Sequence, residues 1–474
     1  MAKKEKMEAL VPVEEQPYSV PENWRWVHWG SVGKFIAGNA FKNQYQGFTE
    51  YDIPFYKVGS LKYSDSFGIL YDRSNMINEE IRNILKATLI PSHSIIFAKI
   101  GEAIRLNRRS INEIPCCIDN NLMAFIPQDC EMKYVYYWSQ GIDLYTLTNA
   151  TTVPAIRKSD LDVIPFPLPP YEEQQRIIDR IESLFAKLDE AKEKAQTVVD
   201  AFEDRKAAIL HKAFTGELTE QWRRQHKPAS AKVYLKKILD NNQCFSREDF
   251  KYWENNALPD GWVESKIGNL LYYAGRIGWK GLKAEEYTES GPLFLSVYNL
   301  NDGDEVTYNH VYHISEERYL ESPEIMVQEG DVLLTKDGAG IGKLGYVKYL
   351  PQEATINSSL LLIRPANAAV SKYIYYMLLG PNLQRIVKER ITGSATPHLF
   401  QRDIKEFVIP VPSMEEQEEI VKCLDKMLLN ERLAKESAEN LIEQIDDMKN
   451  SILAKAFRGE LGTNDPTELP VDIM

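Results

Sequence analysis

Three groups of basic, amide and hydroxyl side chains stand beside glycines or prolines, and each group occurs once in either half of the chain. Lysine and arginine neutralise phosphates, while arginine, asparagine and glutamine form paired hydrogen bonds with base edges. These residue types therefore indicate binding to a nucleic acid rather than bond breaking. The candidate binding residues are Lys42, Lys99, Arg105, Arg108, Arg157 and Lys158 in the first half, and Arg276, Lys280, Lys283, Lys336, Lys343, His398 and Arg402 in the second.

The groups occupy matching positions in the two halves, which supports a role for them in binding. Lys99 follows the apolar run Ser94–Ala98, and Lys336 follows the similar run Asp331–Thr335. Such short, β-rich runs predict strands, so both lysines are expected at strand ends. For any single loop, solvated surface is the simpler interpretation. The recurrence of the loops in two otherwise divergent halves favours recognition.

Signatures of catalysis or metal binding are not found in the sequence. The segment Asp337–Leu344 departs from a phosphate-binding loop, because Asp337 replaces the first glycine and Leu344 replaces the final Ser or Thr. The seven histidines form no HxxxH or HExxH pair, and the five cysteines form no CxxC pair. We therefore predict no catalytic residue, no metal site and no cofactor in this chain.

A long internal repeat sets the frame for the candidate loops. Residues 171–218 reappear without a gap 243 positions later, at 414–461. The closest matches are Glu172-Glu173-Gln174 with Glu415-Glu416-Gln417, and Gly216-Glu217-Leu218 with Gly459-Glu460-Leu461. A duplicated chain of this kind usually folds as two related units about a pseudo-axis.

The repeat predicts an α/β (α+β) protein with two pseudo-symmetric mixed domains and two long helices. Short helical stretches are expected near Tyr134–Trp138 and Tyr373–Tyr376, among the strands. The predicted plan is an N-terminal extension (1–20), a first mixed domain (21–170), a first long helix (171–224), a linker (225–258), a second mixed domain (259–412), a second long helix (413–462) and a tail (463–474).

Both copies of the repeated block have the spacing of a coiled coil, with apolar residues at alternating steps of four and three. Prolines precede each block, and a glycine, Gly216 or Gly459, ends it. Arg205 and Glu431 interrupt the pattern, and we hypothesise that they meet and fix the register. We call the row of apolar residues predicted to form the contact between the two helices the seam. The predicted seam residues are Ile177, Ile181, Leu184, Leu188, Val198, Phe202 and Ile209 in the first helix, and Ile420, Leu424, Met427, Leu441, Ile445, Met448 and Ile452 in the second.

The order of the segments favours an antiparallel helix pair. The first helix ends near residue 224, and the second domain begins near residue 259. An antiparallel pair places that helix end beside the second domain, so a linker of ordinary reach suffices. In the alternative, each helix packs only on its own domain. Two domains related by a twofold would meet half-sites about one helical turn, ~34 Å, apart on a duplex.

Composition indicates a folded, multidomain protein. The chain has 474 residues, 44% of them apolar, and a formal net charge of −13. That charge opposes indiscriminate adhesion to nucleic acid but allows local basic surfaces. The sequence shows neither a signal-peptide core nor an apolar run that would cross a bilayer, which takes ~20 residues. The cysteine pattern suits reduced thiols, so a cytoplasmic protein is expected.

The repeated phrases closely resemble those of the specificity subunit of bacterial type I restriction-modification systems. They are Ile409–Gln417 and Ser451–Leu461, with the first-half counterparts Ile164–Gln174 and Ala213–Leu218. The likeness covers nearly the whole chain, because proline run, heptads and terminal glycine occur twice in the same order. It implies that the mixed domains are target-recognition domains, each reading one part of a split DNA sequence.

The same resemblance implies partners and a division of labour. The long helices of that family set the gap between the domains and hold modification subunits. The implied partners are double-stranded DNA, two methyltransferase (modification) subunits and restriction subunits, with no membrane. S-adenosylmethionine, ATP and Mg are expected in those partner subunits, and this chain is expected to be a non-catalytic component of DNA methylation and restriction.

Two other interpretations remain. In the first, the chain is a non-enzymatic coiled-coil scaffold that binds proteins through its paired domains, which the acidic net charge slightly favours. In the second, it is a fused restriction enzyme with chemistry of its own, which the lack of methyltransferase and nuclease signatures disfavours. Footprinting on DNA distinguishes them.

Overall fold

The structure, a computed structural model, divides the chain into two compact units. Unit 1 comprises Met1–Gln196 and Glu439–Met474, and unit 2 comprises Thr197–Ala438. Each unit therefore holds one mixed domain, the beginning of one long helix and the end of the other. The described residues are 10–65, 67–148, 153–240, 250–276, 282–300, 304–338, 340–365, 371–392, 399 and 404–471.

The described helices include two that are much longer than the rest, as the heptad pattern predicts. Among the described residues, none of the helices has the length and apolar character needed to cross a membrane. The helices are α1 (Glu79–Leu85), α2 (Met132–Gln140), α3 (Lys158–Asp162), α4 (Tyr171–Asp200), α5 (Phe202–Phe214), α6 (Glu220–His226), α7 (Ala231–Asp240), α8 (Glu316–Leu320), α9 (Ser371–Leu379), α10 (Pro381–Thr392) and α11 (Met414–Ala456).

The described residues of unit 1 form three sheets. A five-stranded sheet has the order β2-β9-β6-β7-β4, a three-stranded sheet the order β5-β3-β8, and β1 pairs with β10. The pairs β4–β7 and β3–β8 are parallel, and the others are antiparallel. The strands are β1 (Arg25–His28), β2 (Gly33–Ala37), β3 (Ile53–Tyr56), β4 (Ile69–Leu70), β5 (Met76–Ile77), β6 (Ile95–Ala98), β7 (Arg109–Asn112), β8 (Cys117–Ile118), β9 (Leu122–Pro127) and β10 (Pro165–Leu168).

Unit 2 repeats this plan with a shorter central sheet. Its sheets have the orders β13-β19-β16-β17, β15-β14-β18 and β11-β12-β20. Among the described strands of unit 2, only the pair β14–β18 is parallel. The strands are β11 (Tyr252–Trp253), β12 (Val263–Lys266), β13 (Leu271–Ala274), β14 (Tyr287–Leu295), β15 (Tyr312–Ile314), β16 (Val332–Thr335), β17 (Leu344–Tyr346), β18 (Ala354–Ile356), β19 (Leu360–Pro365) and β20 (Val408–Val411).

The start of each long helix completes the core of its own domain. Ile177, Ile178 and Ile181 of α4 are buried in the main core of unit 1, where Leu453 and Phe457 of the second copy join them. In unit 2, the start of α11 and the end of α5 enter the core in the same way. Burial of this much apolar surface is the main force holding helix and sheet together. Each long helix therefore packs both on its own domain and on the other long helix.

Ion pairs between the helices show that they run antiparallel within each unit. In unit 1, Asp189 pairs with Lys449 at 2.6 Å, and Lys192 pairs with Asp446 at 3.3 Å. As the residue number rises along α4, the facing residue number falls along α11. In unit 2, Phe202 of α5 contacts Lys435, and Arg205 of α5 pairs with Glu431 at 2.7 Å, so the facing number falls there too. The predicted antiparallel pairing and the predicted meeting of Arg205 and Glu431 are confirmed.

Several predicted seam residues lie where expected, and two do not. The predicted positions that are buried are Ile177, Ile181, Phe202, Ile209, Ile420, Leu424 and Ile445, while Leu184, Leu188, Val198, Met427 and Ile452 are partly buried. Leu441 and Met448 are wrong as seam positions, since they are 36% and 41% exposed.

Two lysines at helix positions outside the predicted pattern contact aromatic rings of the first long helix, and one of them, Lys449, takes the place of Met448. The Lys449 Nζ lies 5.0 Å from the ring centre of Phe185 in unit 1, and the Lys435 Nζ lies 5.0 Å from that of Phe202 in unit 2. A lysine stem can cover an aromatic ring while its ammonium stays near water. In unit 1 the contact therefore passes through position 449 rather than 448, and in unit 2 it includes position 435.

The first long helix is interrupted once, where the heptads predict continuity. α4 ends at Asp200 and α5 begins at Phe202, with Ala201 between them. The Arg205 guanidinium donates to the Val198 carbonyl at 2.9 Å, an acceptor that a regular helix gives to the amide four residues later. Competition of a side chain for a helix carbonyl is a known cause of such breaks.

We expect the Arg205–Glu431 pair to stabilise unit 2 modestly. Both side chains are partly exposed, so solvent screening limits their coupling to about 0.5–1 kcal/mol. A double-mutant cycle with Arg205→Ala, Glu431→Ala and both together, followed by thermal unfolding, measures this coupling. The exposed Lys194–Glu190 pair is the matched control. If the stability losses of the two single variants simply add in the double variant, the pair does not help to set the register of the two helices.

The segments predicted as extension and linker are parts of the units. The Val11 amide donates to the Trp26 carbonyl at 3.0 Å, which adds the N-terminal segment to the edge of β1. In unit 2, β11 adds to the edge of β12 in the same manner. Helix α7, within the predicted linker, buries Leu235 and Ile238 in the unit 2 core. The predicted linker is therefore not a simple connection, because the apolar face of α7 within it completes that core.

A Lys-Tyr-x-Tyr-Tyr motif occurs at residues 133–137 and again at 372–376, and it attaches each domain to its long helix. In unit 1, the Lys133 ammonium pairs with Glu182 at 2.7 Å, and the Tyr137 hydroxyl donates to the same carboxylate at 3.2 Å. In unit 2, the ammonium of Lys372 pairs with Asp425 at 2.7 Å, and the Tyr376 hydroxyl donates to Asp425. The motif thus orients the sheet relative to the helix within either unit.

Candidate nucleic-acid interface

One end of the five-stranded sheet holds the first-half candidates. β6 ends at Ala98, directly before Lys99, and β9 begins beside it at Leu122. The Lys99 amide donates to the Asn121 carbonyl at 2.8 Å, and the Gly38 amide, just after β2, donates to the Leu122 carbonyl at 3.1 Å. The loops after β2 and β6 therefore leave the sheet at the same end, and they carry Lys42, Arg105 and Arg108.

The second predicted loop joins the first at this end. The Ile156 amide donates to the Lys99 carbonyl at 2.9 Å, and the Gly101 amide donates to the Pro154 carbonyl at 2.8 Å. These bonds hold residues 153–158 against residues 99–101, so Arg157 and Lys158 follow at the same end of the sheet. The structure thus brings together loops that are about 50 residues apart in the sequence. We call this group the unit 1 sheet end.

Unit 2 builds the same arrangement around Lys336. β16 ends at Thr335, and the Lys336 amide donates to the Ser359 carbonyl at 2.9 Å. The Leu399 amide donates to the Lys336 carbonyl at 2.9 Å. Lys343 directly precedes β17 at this end, which we call the unit 2 sheet end. Lys99 and Lys336 therefore have the same pair of backbone hydrogen bonds to corresponding segments.

The side chains of the unit 1 sheet end are mostly exposed and cationic. Lys42, Arg108, Arg157 and Lys158 are exposed, and Lys99 is partly buried. Arg105 pairs with Glu102 at 2.7 Å and stacks on Tyr145, with its guanidinium carbon 3.6 Å from the ring centre. Arg105 also donates to the Tyr145 hydroxyl. These contacts hold the guanidinium in place, and its five N–H groups exceed the two hydrogen bonds, so it can also bind an anion or a base edge.

Two charged groups at the unit 1 sheet end have structural roles. Asp119 is buried and accepts from the Asn121 amide at 2.9 Å, and burial raises the pKa of its carboxyl. Arg109 is buried too and donates to the Ile142 carbonyl at 2.6 Å, while burial lowers the pKa of its guanidinium to about 10. Asp119 is thereby kept from projecting its charge into solvent. Arg109 ties the loop after β6 to the segment after α2.

The described candidate cations of unit 2 differ in their contacts and exposure. The Lys336 ammonium pairs with Asp337 at 3.0 Å. Lys343 is exposed, and so is Lys283, whose amide is bonded to the Glu286 carboxylate at 2.8 Å. Lys280, His398 and Arg402 lie outside the described residues.

Arg276 is wrong as a surface contact, since only 4% of it is exposed. Its guanidinium donates to the Ile356 carbonyl at 3.0 Å and to the Thr355 hydroxyl at 3.1 Å. Desolvation lowers the pKa of Arg276, although the group remains a cation at neutral pH. Its role is to join the end of β13 to β18.

Tyr145 is a residue of the candidate interface that the sequence did not single out. It lies near the end of the segment that follows α2, 40 positions after the arginine that it stacks on. No local signal in the sequence pairs them, because the contact depends on two loops meeting at the sheet end. Within the described part of the chain, no cluster of His, Cys, Asp and Glu could hold a metal ion.

The fold and the two sheet ends define a duplicated binding protein with one candidate anion-binding surface in each unit. The family described as "Type I restriction modification DNA specificity domain" matches residues 21–198 and 259–444. The match occurs twice, once in each half, and together the two spans cover most of the chain. The chain belongs to this family of DNA specificity subunits, as the resemblance of its repeated phrases predicts.

Named relatives share its sequence at moderate identity. The EcoBI specificity subunit of a type I restriction enzyme from Escherichia coli is 27% identical over 327 residues, 68% of this chain and 64% of that subunit. The EcoKI specificity subunit of Escherichia coli strain K12 is 25% identical over 334 residues, 69% of this chain and 64% of the subunit. The alignments thus span just under two thirds of these relatives. The StySPI specificity subunit of Salmonella potsdam is 19% identical over 474 residues, 95% of this chain and 92% of the subunit.

Solved structures show the same fold. The HsdS subunit from Thermoanaerobacter tengcongensis superposes with a TM-score of 0.58 at 20% identity, over 94% of this chain and 100% of that one. A chain from a structure on complex assembly and conformational transition of the type I R-M system gives a TM-score of 0.62 at 19% identity, over 94% and 100% of the two chains. At these identities the likeness concerns architecture alone: mixed helix and sheet with long helices.

Proposed function

We propose that this chain is the sequence-reading subunit of a type I restriction-modification complex and that each unit reads one part of a bipartite double-stranded DNA target. The observation that carries the proposal is the matched position of Lys99 and Lys336. Both follow a central strand, donate to the neighbouring strand's loop and accept from the segment before the long helix. A duplicated surface with exposed cations suits a ligand that presents phosphates at two places.

The chemistry of the sheet ends fits both parts of DNA recognition. Exposed lysines and arginines, such as Lys42 and Arg108, would neutralise phosphates and position the unit. A guanidinium held in place against a ring, as in Arg105 on Tyr145, suits hydrogen bonding to a guanine edge. The net charge of −13 would limit non-specific binding, so affinity would depend on these local surfaces.

We propose that the long helices set the distance between the two parts of the target. Helix α11 runs for 43 residues, which at 1.5 Å per residue is about 65 Å. A helix pair tied by ion pairs and apolar contacts resists bending and stretching, so it would act as a ruler. Its length would then determine the spacer that the complex accepts.

The long helices would also hold partner subunits. Within unit 2, α11 exposes Leu429 and Leu433, and within unit 1 it exposes Leu441 and Met448. Apolar side chains on an otherwise charged helix are typical of a surface that another protein covers. We propose two methyltransferase subunits and restriction subunits as partners. S-adenosylmethionine, ATP and Mg would serve chemistry in those partners, and this chain would contribute binding and not catalysis.

Footprinting on genomic DNA fragments, with and without added modification subunits, tests this proposal. The expected result is protection of two short sequences separated by an unprotected spacer of constant length. A single protected stretch would contradict the bipartite assignment. Lack of any protection, together with capture of proteins only, would instead support a protein-binding scaffold.

We expect substitution of Lys99 or Lys336 to weaken DNA binding by the full-length protein. Each Lys→Ala change removes one cation from a sheet end, so the slope of log affinity against log salt falls by about one. The measurement is a binding titration at several salt concentrations. Lys187→Ala and Lys237→Ala remove exposed cations elsewhere and serve as matched controls. An unchanged slope for Lys99→Ala would exclude that residue from the interface.

A further inference from the structure

The end of the second repeat closes onto the start of the first within unit 1. Glu173, in the first turn of α4, is fully buried and accepts from the Thr463 hydroxyl at 2.7 Å and from Arg176 at 2.9 Å. Arg176 also forms two bonds with the Glu468 carboxylate, at 2.8 and 2.7 Å. The Trp24 indole donates to Asn464 at 3.3 Å. We call this cluster the first junction.

A corresponding cluster, the second junction, closes the end of the first repeat onto the start of the second within unit 2. Glu416, in the first turn of α11, is buried and accepts from the Thr219 hydroxyl at 2.7 Å and from Arg223 at 2.5 Å. Its other oxygen accepts from the Trp262 indole at 2.8 Å. Glu416 stands where Glu173 stands in the first copy, and Trp262 where Trp24 stands.

Glycine is required beside each junction. Gly216 and Gly459 have φ angles of 81° and 73°, a region that disfavours side chains. A Cβ at Gly216 would lie 2.4 Å from the Pro259 ring, and one at Gly459 would lie 2.5 Å from the Pro21 ring. The repeated Gly-Glu-Leu phrases therefore mark the point at which each helix end meets the entry of a domain.

The two junctions differ in which side supplies the cation. In the first junction, the helix start supplies Arg176, and the trailing segment supplies the acid Glu468. In the second junction, the trailing segment supplies Arg223, and the position that matches Arg176 is the acid Glu419. The charges of helix start and trailing segment are thus exchanged between the two copies, although the buried glutamate and the threonine that donates to it are present in both.

We propose that these opposite polarities decide which helix start each trailing segment binds. Within one chain, the trailing segment of one repeat binds the helix start of the other repeat. Between two chains, the same polarities disfavour binding of a trailing segment to the start of its own repeat in the second copy. A trailing segment with Arg223 placed on the first helix start would meet Arg176 and lose Glu468. A trailing segment with Glu468 placed on the second helix start would meet Glu416 and Glu419 without the Arg223 cation that pairs with Glu416. Like charges and a buried carboxylate without a partner are strong penalties against these pairings.

The physical need for such selection follows from the duplication. Two related helices with the same heptad spacing could pair with copies of themselves between chains, since the apolar seam distinguishes them poorly. The central glutamate of each junction is buried, and burial increases the difference in electrostatic energy between correct and incorrect pairings of the repeats. The inference concerns pairing of the repeats and does not depend on the nature of the ligand.

Recoding one junction in the full-length protein tests this proposal. Arg223→Glu alone leaves Glu416 facing acids and should lower the melting temperature of the protein. Adding Glu419→Arg gives the second junction the polarity of the first and should restore most of that loss. Both junctions of this double variant are then alike. After unfolding and refolding at high concentration, it should yield roughly threefold more two-chain species than the unmodified protein.

A quadruple variant is the matched control. Combining Arg176→Glu and Glu468→Arg with the first pair of changes inverts both junctions, so that they differ again. The quadruple variant should refold with as little two-chain species as the unmodified protein, as measured by sedimentation. Failure of Glu419→Arg to rescue Arg223→Glu would overturn the proposal. So would equal yields of two-chain species from the unmodified, double and quadruple proteins.

Discussion

Replacing Glu416 with alanine is expected to destabilise unit 2 by about 3–5 kcal/mol, which for a unit of this size lowers the melting temperature by roughly 10 °C. The Glu416 carboxylate receives hydrogen bonds from Thr219, Arg223 and Trp262. Its removal leaves the partly buried Arg223 cation without its carboxylate and the buried indole N–H of Trp262 without an acceptor. Unpaired buried groups of this kind are among the most costly single changes in a protein.

Two companion variants identify the source of the effect. Glu416→Gln keeps the shape of the side chain, but its amide group cannot accept from every donor, so a loss of about 1–3 kcal/mol is expected. Glu415→Ala changes the exposed neighbour in the same helical turn and should alter stability by less than about 0.5 kcal/mol. Urea denaturation of the three full-length variants measures these differences. Equal stability of Glu416→Ala and Glu415→Ala would show that the junction contributes nothing.

The junctions also show what a repeat can reveal from sequence alone. The phrases Glu-Glu-Gln and Gly-Glu-Leu are the parts that match most closely between the copies, and the structure places them at the junctions, where Glu416 contacts the segment after Gly216. The repeat therefore predicted which segments matter. It could not show that the end of one copy completes the start of the other, because that pairing joins residues about 200 positions apart.

Local patterns predicted elements better than they predicted exposure. The runs before Lys99 and Lys336 are strands, and the heptads are helices, because apolar periodicity reports directly on burial. Arg276 was placed at the surface because arginine is usually exposed, whereas here it is held by carbonyl and hydroxyl groups inside unit 2. Lys435 and Lys449 cover aromatic rings, which an apolar pattern cannot record.

The candidate interface was predicted as a set of loops rather than as a surface. Matched basic loops suggested that Lys99 and Lys336 belong together in function, but the sequence gives no distance between loops. The contact between residues 99–101 and residues 153–158 depends on backbone hydrogen bonds. Nearly every residue type can form such bonds, so the sequence does not predict them. The stacking of Arg105 on Tyr145 follows from that meeting and could not be predicted before it.

Removing one heptad from both long helices is expected to shift or abolish recognition of the native target, if these helices set its spacer as proposed. Suitable segments are residues 187–193 and 444–450, which face each other within unit 1 through Asp189–Lys449 and Lys192–Asp446. Seven residues shorten a helix by about 10.5 Å. The accompanying rotation is only about 20°, so the seam is preserved. This shortening corresponds to about three base pairs of duplex at 3.4 Å each.

The expected result is loss of specific binding to the native spacer and preference for a spacer shorter by about three base pairs. Binding selections from DNA with randomised spacer lengths, using the protein assembled with modification subunits, measure this preference. Lys187→Ala combined with Asp447→Ala changes exposed residues near the same segments without changing helix length, and it should keep the native spacer. The salt dependence of non-specific binding should be unaffected in both proteins, because the sheet ends remain intact. A shortened protein that still prefers the native spacer would show that helix length does not measure the gap.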